Sequence, residues 1–121
     1  MLKKVEINKV VEESGLASTM KSGSLPVLAT PQMVAWMEEA ACQCLDLEEG
    51  MTSVGILMNV EHVKASPLGA SIRVVAEITK EEGRKIEYDV AAYQDEKLIG
   101  KGHHERFIVQ SEKFVKKTYE K

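Results

Sequence analysis

Four runs of alternating apolar residues, at 53–64, 70–80, 84–94 and 97–109, are separated by short polar connections. Val54, Ile56, Met58, Val60 and His62 share one face of the first run, and Ile72, Val74, Ala76 and Ile78 share one face of the second. Ile86, Tyr88, Val90 and Ala92 do the same in the third. A period of two over such lengths is the pattern of a strand with one buried face. The connections read as turns: Ser66-Pro67-Leu68-Gly69, Glu82-Gly83 and Asp95-Glu96. Parallel neighbours need crossovers of a dozen residues or more, so these strands must form an antiparallel meander. Residues 2–12 (LKKVEINKVVE) add a fifth, shorter strand in which Val5 and Ile7 alternate with charges.

A single helix has to cover that sheet. In ATPQMVAWMEEAACQCL, residues 29–45, a helical period puts Met33, Trp36, Met37, Ala40, Ala41 and Cys44 in one stripe. Thr30 is the expected N-cap, Pro31 suits the first helical position, and Gly50 is the expected stop. Residues 13–28 (ESGLASTMKSGSLPVL) have loop composition and are long for a plain connection. The tail SEKFVKKTYEK reads as polar surface or a frayed end. One helix wrapped by one antiparallel sheet makes the fold class α+β, in a single domain over residues 1–121.

Composition excludes several functions. At 121 residues with 29% charged residues and a net charge of -3, there is no global basic field for nucleic acid. No apolar run approaches the roughly 18 residues of a membrane span, and MLKKVEINK has no apolar leader region. Cys42 and Cys44 lie two apart on the helix, turned away from each other. They read as buried, unpaired thiols of a cytoplasmic protein. His103-His104-Glu105 together with His62 lacks the spacing of a zinc site, so no metal is expected.

Three residues stand apart from this structural pattern. Glu38 has Val34, Ala41 and Leu45 at i−4, i+3 and i+7, which places a carboxylate at the edge of the buried stripe. Glu39 has Gln43 and Asp46 at i+4 and i+7 and belongs to a solvated flank. A carboxylate at the helix–sheet boundary is costly unless something hydrogen-bonds it, and His62, last in the apolar row of its strand, is a candidate partner. Thr30 sits two turns earlier, at the helix start. Taken singly, each has an ordinary structural reading.

Together they carry a resemblance. ATPQMVAWMEEAACQCL, EGMTSVGILMNVEHVKASPLG and GKGHHERFIV, in this order and spacing over roughly residues 14–115, resemble the hotdog-fold thioesterases related to fluoroacetyl-CoA thioesterase. The resemblance implies a hotdog fold, hydrolysis of an acyl-CoA thioester, no cofactor beyond the CoA of the substrate, and a homodimer. It maps a catalytic group onto Thr30, Glu38 and His62, and substrate contacts onto Gly55 and Arg106. The residue types suit the chemistry. A hydroxyl can attack or hold water, an imidazole can take its proton, and a carboxylate can orient the imidazole or act as base. Helix amides after Pro31 are expected to be free to favour a developing oxyanion. Arg106 and Lys101 are candidates for the anionic CoA phosphates. The fluoroacetate-specific enzyme carries lid phenylalanines ahead of the threonine, whereas this chain has Lys21 and Ser24 there and no aromatic residue before Trp36. A general short or medium acyl-CoA is therefore the expected substrate. The alternatives are an enoyl-CoA hydratase and a non-catalytic acyl-CoA-binding module of the same fold.

Overall fold

The computed structural model describes residues 1–120; Lys121 lies outside the described residues. Strand β1 (Lys4–Val10) leads through a 3-10 turn and a short helix α1 (Ala17–Met20) into the long helix α2 (Thr30–Gln43). Strands β2 (Met51–His62), β3 (Ser71–Glu82), β4 (Lys85–Gln94) and β5 (Lys97–Gln110) follow, then a last helix α3 (Ser111–Tyr119). The strands form one antiparallel sheet in the order β1-β3-β4-β5-β2. The expected α+β hotdog architecture is what the chain adopts, but only β3, β4 and β5 form the expected meander: β2 crosses to the far edge and pairs with β5 rather than with β3.

The stripe of α2 packs into this sheet. Met33, Trp36, Met37, Ala40, Ala41 and Cys44 are all buried, against Ile72, Val74, Ala76, Ile86, Tyr88 and Val90. The helix approaches β5 so closely that a β-carbon on Gly100 would lie 2.5 Å from the Met33 sulfur. Burial of each large apolar side chain contributes about 2 kcal/mol, so this layer dominates the stability of the domain. Tyr88 ties the layers together by donating its hydroxyl to the Ala41 carbonyl oxygen at 3.1 Å, and burial pushes the phenol pKa well up.

Several expectations are corrected. Ala29, not Thr30, occupies the N-cap position of α2, and Thr30 is the first helical residue. The helix stops at Gln43 rather than at Gly50, because its last amides tighten to i−3 bonds (Cys44 N to Ala41 O, Leu45 N to Cys42 O). The amide of Leu2 then takes the Cys44 carbonyl, so the N-terminal segment caps the helix in place of glycine. Gly50 instead serves the turn into β2, with φ +86°. The 13–28 loop is partly ordered: Leu16 bridges Leu28 and Val27 bridges Pro67, lashing it over the start of α2. The tail is helical over Ser111–Tyr119, held by the Gln110 side chain accepting from the Lys113 amide at 2.9 Å. It buries no residue, and its apolar side chains Phe114, Val115 and Tyr119 are exposed. Cys42 is exposed while Cys44 is buried, and both are free thiols.

The alternation of β2 also breaks. The register against β5 shifts between Gly55 and Leu57, so one extra residue bulges out of the ladder. Met58 and Val60 pack on the core, whereas Ile56 is exposed and Gly55 points its missing side chain at Glu38. No helix among the described residues is long and apolar enough to cross a membrane.

Candidate active site

The five residues singled out in the sequence fall into two clusters at opposite ends of β2. At one end, the first residue of α2 meets the last residue of β2: Thr30 Oγ1 lies 2.8 Å from His62 Nδ1. His62 is half-buried, and its Nε2 is buried with no partner among the described residues. Burial holds the imidazole pKa below its ordinary value, partly offset by a backbone hydrogen bond at Lys64. A cavity of about 270 Å³ adjoins the pair, lined in part by Ala17, Ser22, Val27, Leu28 and Lys64. Among the described residues no phenylalanine, tyrosine or tryptophan lines it.

At the other end, Glu38 faces β2 and β5. Arg106 Nη1 donates to Glu38 Oε2 at 3.4 Å. A β-carbon at Gly55 would come 2.7 Å from that oxygen and 3.3 Å from Arg106 Nη1, so only glycine leaves the carboxylate its place. Arg106 is 6% exposed and is fixed by Ser53, with Nε donating to the hydroxyl at 2.8 Å and Nη2 to the carbonyl at 3.0 Å. The guanidinium is thus turned inward to a carboxylate and a backbone oxygen. Glu38 also borders a cavity of about 210 Å³ formed with Gly55, Ile56, Leu57, Met58 and His104.

The chain does not bring Glu38 to His62. Seven residues of extended strand separate Gly55 from His62, on the order of 20 Å, and eight helical residues separate Thr30 from Glu38, about 12 Å. The contrast between Glu38 and Glu39 also takes a different form from the one expected. Their side chains are almost equally exposed, 41% and 43%. What differs is direction: Glu39 turns to the β1 edge and pairs with Lys9 at 2.9 Å, while Glu38 turns to the β2 edge. The amides expected to be free after Pro31 are engaged, since Gln32 and Met33 both donate to the Ala29 carbonyl.

Two residues of the second cluster were not singled out in the sequence, Ser53 and His104. His104 is a buried histidine bonded to Arg106, and its one visible signal is that it shares the inward phase of β5 with Arg106. His103 faces the other way, within reach of Glu87 and Glu105 at 3.4 and 2.7 Å, and Lys85 adds a positive charge at 3.8 and 3.7 Å from the same carboxylates.

Burial of two neutral histidines has a consequence for stability. His62 and His104 both have pKa values below 6.5 in the folded chain, chiefly from desolvation. As pH falls through 6.5 the unfolded chain protonates these rings before the folded chain does. Stability must therefore decline below that pH, by up to about 1.4 kcal/mol per pH unit for each proton taken up. The urea midpoint should fall between about pH 7 and pH 5, above the range in which Glu82 and Glu105, whose pKa values are lowered by Lys80 and His103, lose their charge. A flat midpoint over that interval would contradict the neutral burial of both rings.

The fluoroacetyl-CoA-specific thioesterase family profile matches residues 11–112. The fluoroacetyl-CoA thioesterase of Streptantibioticus cattleyicolor is 38% identical over 97 residues, 78% of this chain and 70% of that protein. A solved fluoroacetyl-CoA thioesterase superposes with a TM-score of 0.90 at 31% identity, covering 98% of this chain and 94% of the other. Variants of it have been solved with fluoroacetate and CoA, and with acetyl-CoA. A hot-dog-like protein of Thermanaerovibrio acidaminovorans, 21% identical over 96% of this chain and 87% of its own, superposes with a TM-score of 0.86 and shares the fold.

Proposed function

The chain belongs to the fluoroacetyl-CoA-specific thioesterase family, and from that premise we propose that it hydrolyses short or medium acyl-CoA thioesters, with Thr30, His62 and Glu38 as catalytic group. Its activity is that of an acyl-CoA thioesterase, converting acyl-CoA and water to the free acid and CoA. The observation that carries the site assignment is the direct contact between Thr30 Oγ1 and His62 Nδ1 at the mouth of a cavity. An imidazole kept neutral by burial, in the tautomer that carries its proton on Nε2, has its Nδ1 lone pair available for the hydroxyl proton. A cavity without phenylalanine, tyrosine or tryptophan among its described lining residues supports an acyl group not restricted to fluoroacetyl.

The functional unit in this reading is a homodimer of single-domain chains, with the site at the subunit interface. Two features support it. Strand β2 is a long sheet edge that exposes Ile56 and Leu57, whereas the other edge, β1, is short and alternates with charges. The two clusters are also too far apart within one chain to act on one carbonyl. Antiparallel pairing of two β2 strands about a two-fold axis near Met58 and Asn59 sets His62 of one chain beside Gly55 of the other. Thr30 and His62 of one copy then meet Glu38 of its partner, giving two composite sites per dimer. There Thr30 attacks or holds water, His62 accepts the proton, and Glu38 orients or serves as base. Arg106 and Gly55 fix Glu38 and bound the acyl group.

The test is thiol release from acetyl-, butyryl- and phenylacetyl-CoA, with crotonyl-CoA absorbance reporting hydration. Turnover of at least one saturated acyl-CoA is expected. Hydration of crotonyl-CoA without thiol release, or binding without turnover, would overturn the reading. Light scattering should give twice the chain mass, and a monomer at micromolar concentration would overturn the composite site.

A further inference from the structure

His104 has no part in the reaction as drawn, yet it is more deeply buried than Arg106 or Glu38. It is 1% exposed, and its ring stacks on Tyr88 with centroids 5.6 Å apart and planes at 27°. Nδ1 lies 2.8 Å from the carbonyl oxygen of Leu57, and Nε2 lies 3.3 Å from Arg106 Nη1. A carbonyl oxygen only accepts and a guanidinium N–H only donates, so Nδ1 must carry the proton and Nε2 the lone pair. The ring is a neutral imidazole locked in one tautomer. Burial and the nearby guanidinium charge both lower its pKa, which agrees with that state.

Both of its hydrogen bonds bear on the Glu38 cluster. Arg106 is anchored to Ser53 through Nε and Nη2, and Nη1 has two protons to place. One goes to Glu38 at 3.4 Å and the other to His104 at 3.3 Å. Without an acceptor at His104, that second N–H is buried and unpaired, and the guanidinium gains by turning away from its present plane. Leu57 immediately follows the β2 bulge, so the Nδ1–H bond also pins the backbone beside Gly55, where Glu38 needs its room.

We propose that His104 is a positioning residue of the active site, fixing Arg106 through its Nε2 lone pair and, through Arg106, the carboxylate of Glu38. This rests on the reading of Glu38 as a working group in thioester hydrolysis, and it adds a residue that does not touch substrate.

His104→Asn and His104→Gln separate the two bonds. Asn can donate near the Nδ1 site but offers no acceptor to Arg106; Gln can place an amide oxygen near the Nε2 site. The expectation is a fall in kcat on the order of tenfold or more for His104→Asn with little change in KM, the scale of a displaced catalytic group. His104→Gln should recover most of that loss, and in a Glu38→Gln background His104→Asn should cost nothing further. Unchanged kcat in folded His104→Asn, equal losses in both variants, or additive losses in the double variant would overturn the proposal. Should His104→Asn fail to fold, the nitrogen NMR spectrum of the unmodified protein decides. A neutral ring protonated at Nδ1 supports the proposal, and a proton on Nε2 or a charged ring at neutral pH overturns it. A large loss in Glu38→Gln with both His104 variants fully active removes only the role of His104. Full activity in Glu38→Gln removes that role together with the reading of Glu38.

Discussion

Glu38→Gln should lower kcat by on the order of a hundredfold or more, while Glu39→Gln should leave it near the parent value. The comparison is demanding because the two carboxylates are adjacent, of equal length and equally exposed within one chain. Exposure therefore cannot distinguish them, and only their surroundings can. Glu39 pairs with Lys9 across an exposed gap, an interaction whose loss costs at most about 1 kcal/mol of stability. Glu38 faces the Arg106 guanidinium and a glycine whose missing side chain leaves space for it. Glutamine preserves size and hydrogen-bonding reach but removes the charge and the basicity. Circular dichroism and light scattering on both variants should match the parent. Equal activity in the two, or equal loss, would remove the reason for assigning Glu38 a chemical role. Loss of folding in Glu38→Gln alone would make it a structural residue.

Two separately inactive variants should regain activity when mixed. His62→Ala damages the Thr30 cluster and leaves Glu38 intact; Glu38→Gln does the reverse. If each site draws one cluster from each chain, a mixed dimer holds one intact site and one doubly damaged site. After subunit exchange in equal amounts, half of the dimers are mixed, so activity should recover to roughly a quarter of the parent's. If both clusters of a site came from a single chain, every site in the mixture would carry a defect and mixing would restore nothing. Co-expression with two affinity tags, followed by assay of the doubly tagged species, makes the same comparison without relying on exchange. A mixed dimer of confirmed composition with no recovered turnover would rule out the composite site.

Much of the fold was legible because its signals are local. The period of two in β3 and β4 and the stripe on α2 each follow from a face that must be buried, and Gly83 and Asp95 both take positive φ at the tight turns expected there. The errors arose where a distant segment supplied what a neighbour was expected to supply. Leu2 caps α2 from 42 residues away in place of a glycine, and Ala29 takes the N-cap while the Thr30 hydroxyl reaches instead to His62 from the distant end of β2. The β2 bulge is marked in the sequence only by the interior Gly55 and the apolar run Ile56-Leu57-Met58, and it decides that Gly55 rather than Val54 faces the helix. For the site, residue types and spacing picked out Thr30, Glu38 and His62, and the family resemblance added Gly55 and Arg106, but spacing along a chain does not say which of them meet. His104 was passed over because it was weighed as a metal ligand, and its geometry is that of a neutral buried ring between a carbonyl and a guanidinium.

The length of β2 between Gly55 and His62 has a consequence at the level of mass action. Under the proposed composite site a chain alone is a half-enzyme, so turnover per chain would depend on how many chains have found a partner. Activity then rises more steeply than total protein below the dimer dissociation constant and proportionally above it. Any influence on the exposed edge of that strand, a competing peptide or a changed charge, acts on catalysis without approaching the cavity. In the proposed dimer the sheet edge would be a point of control as well as a point of assembly.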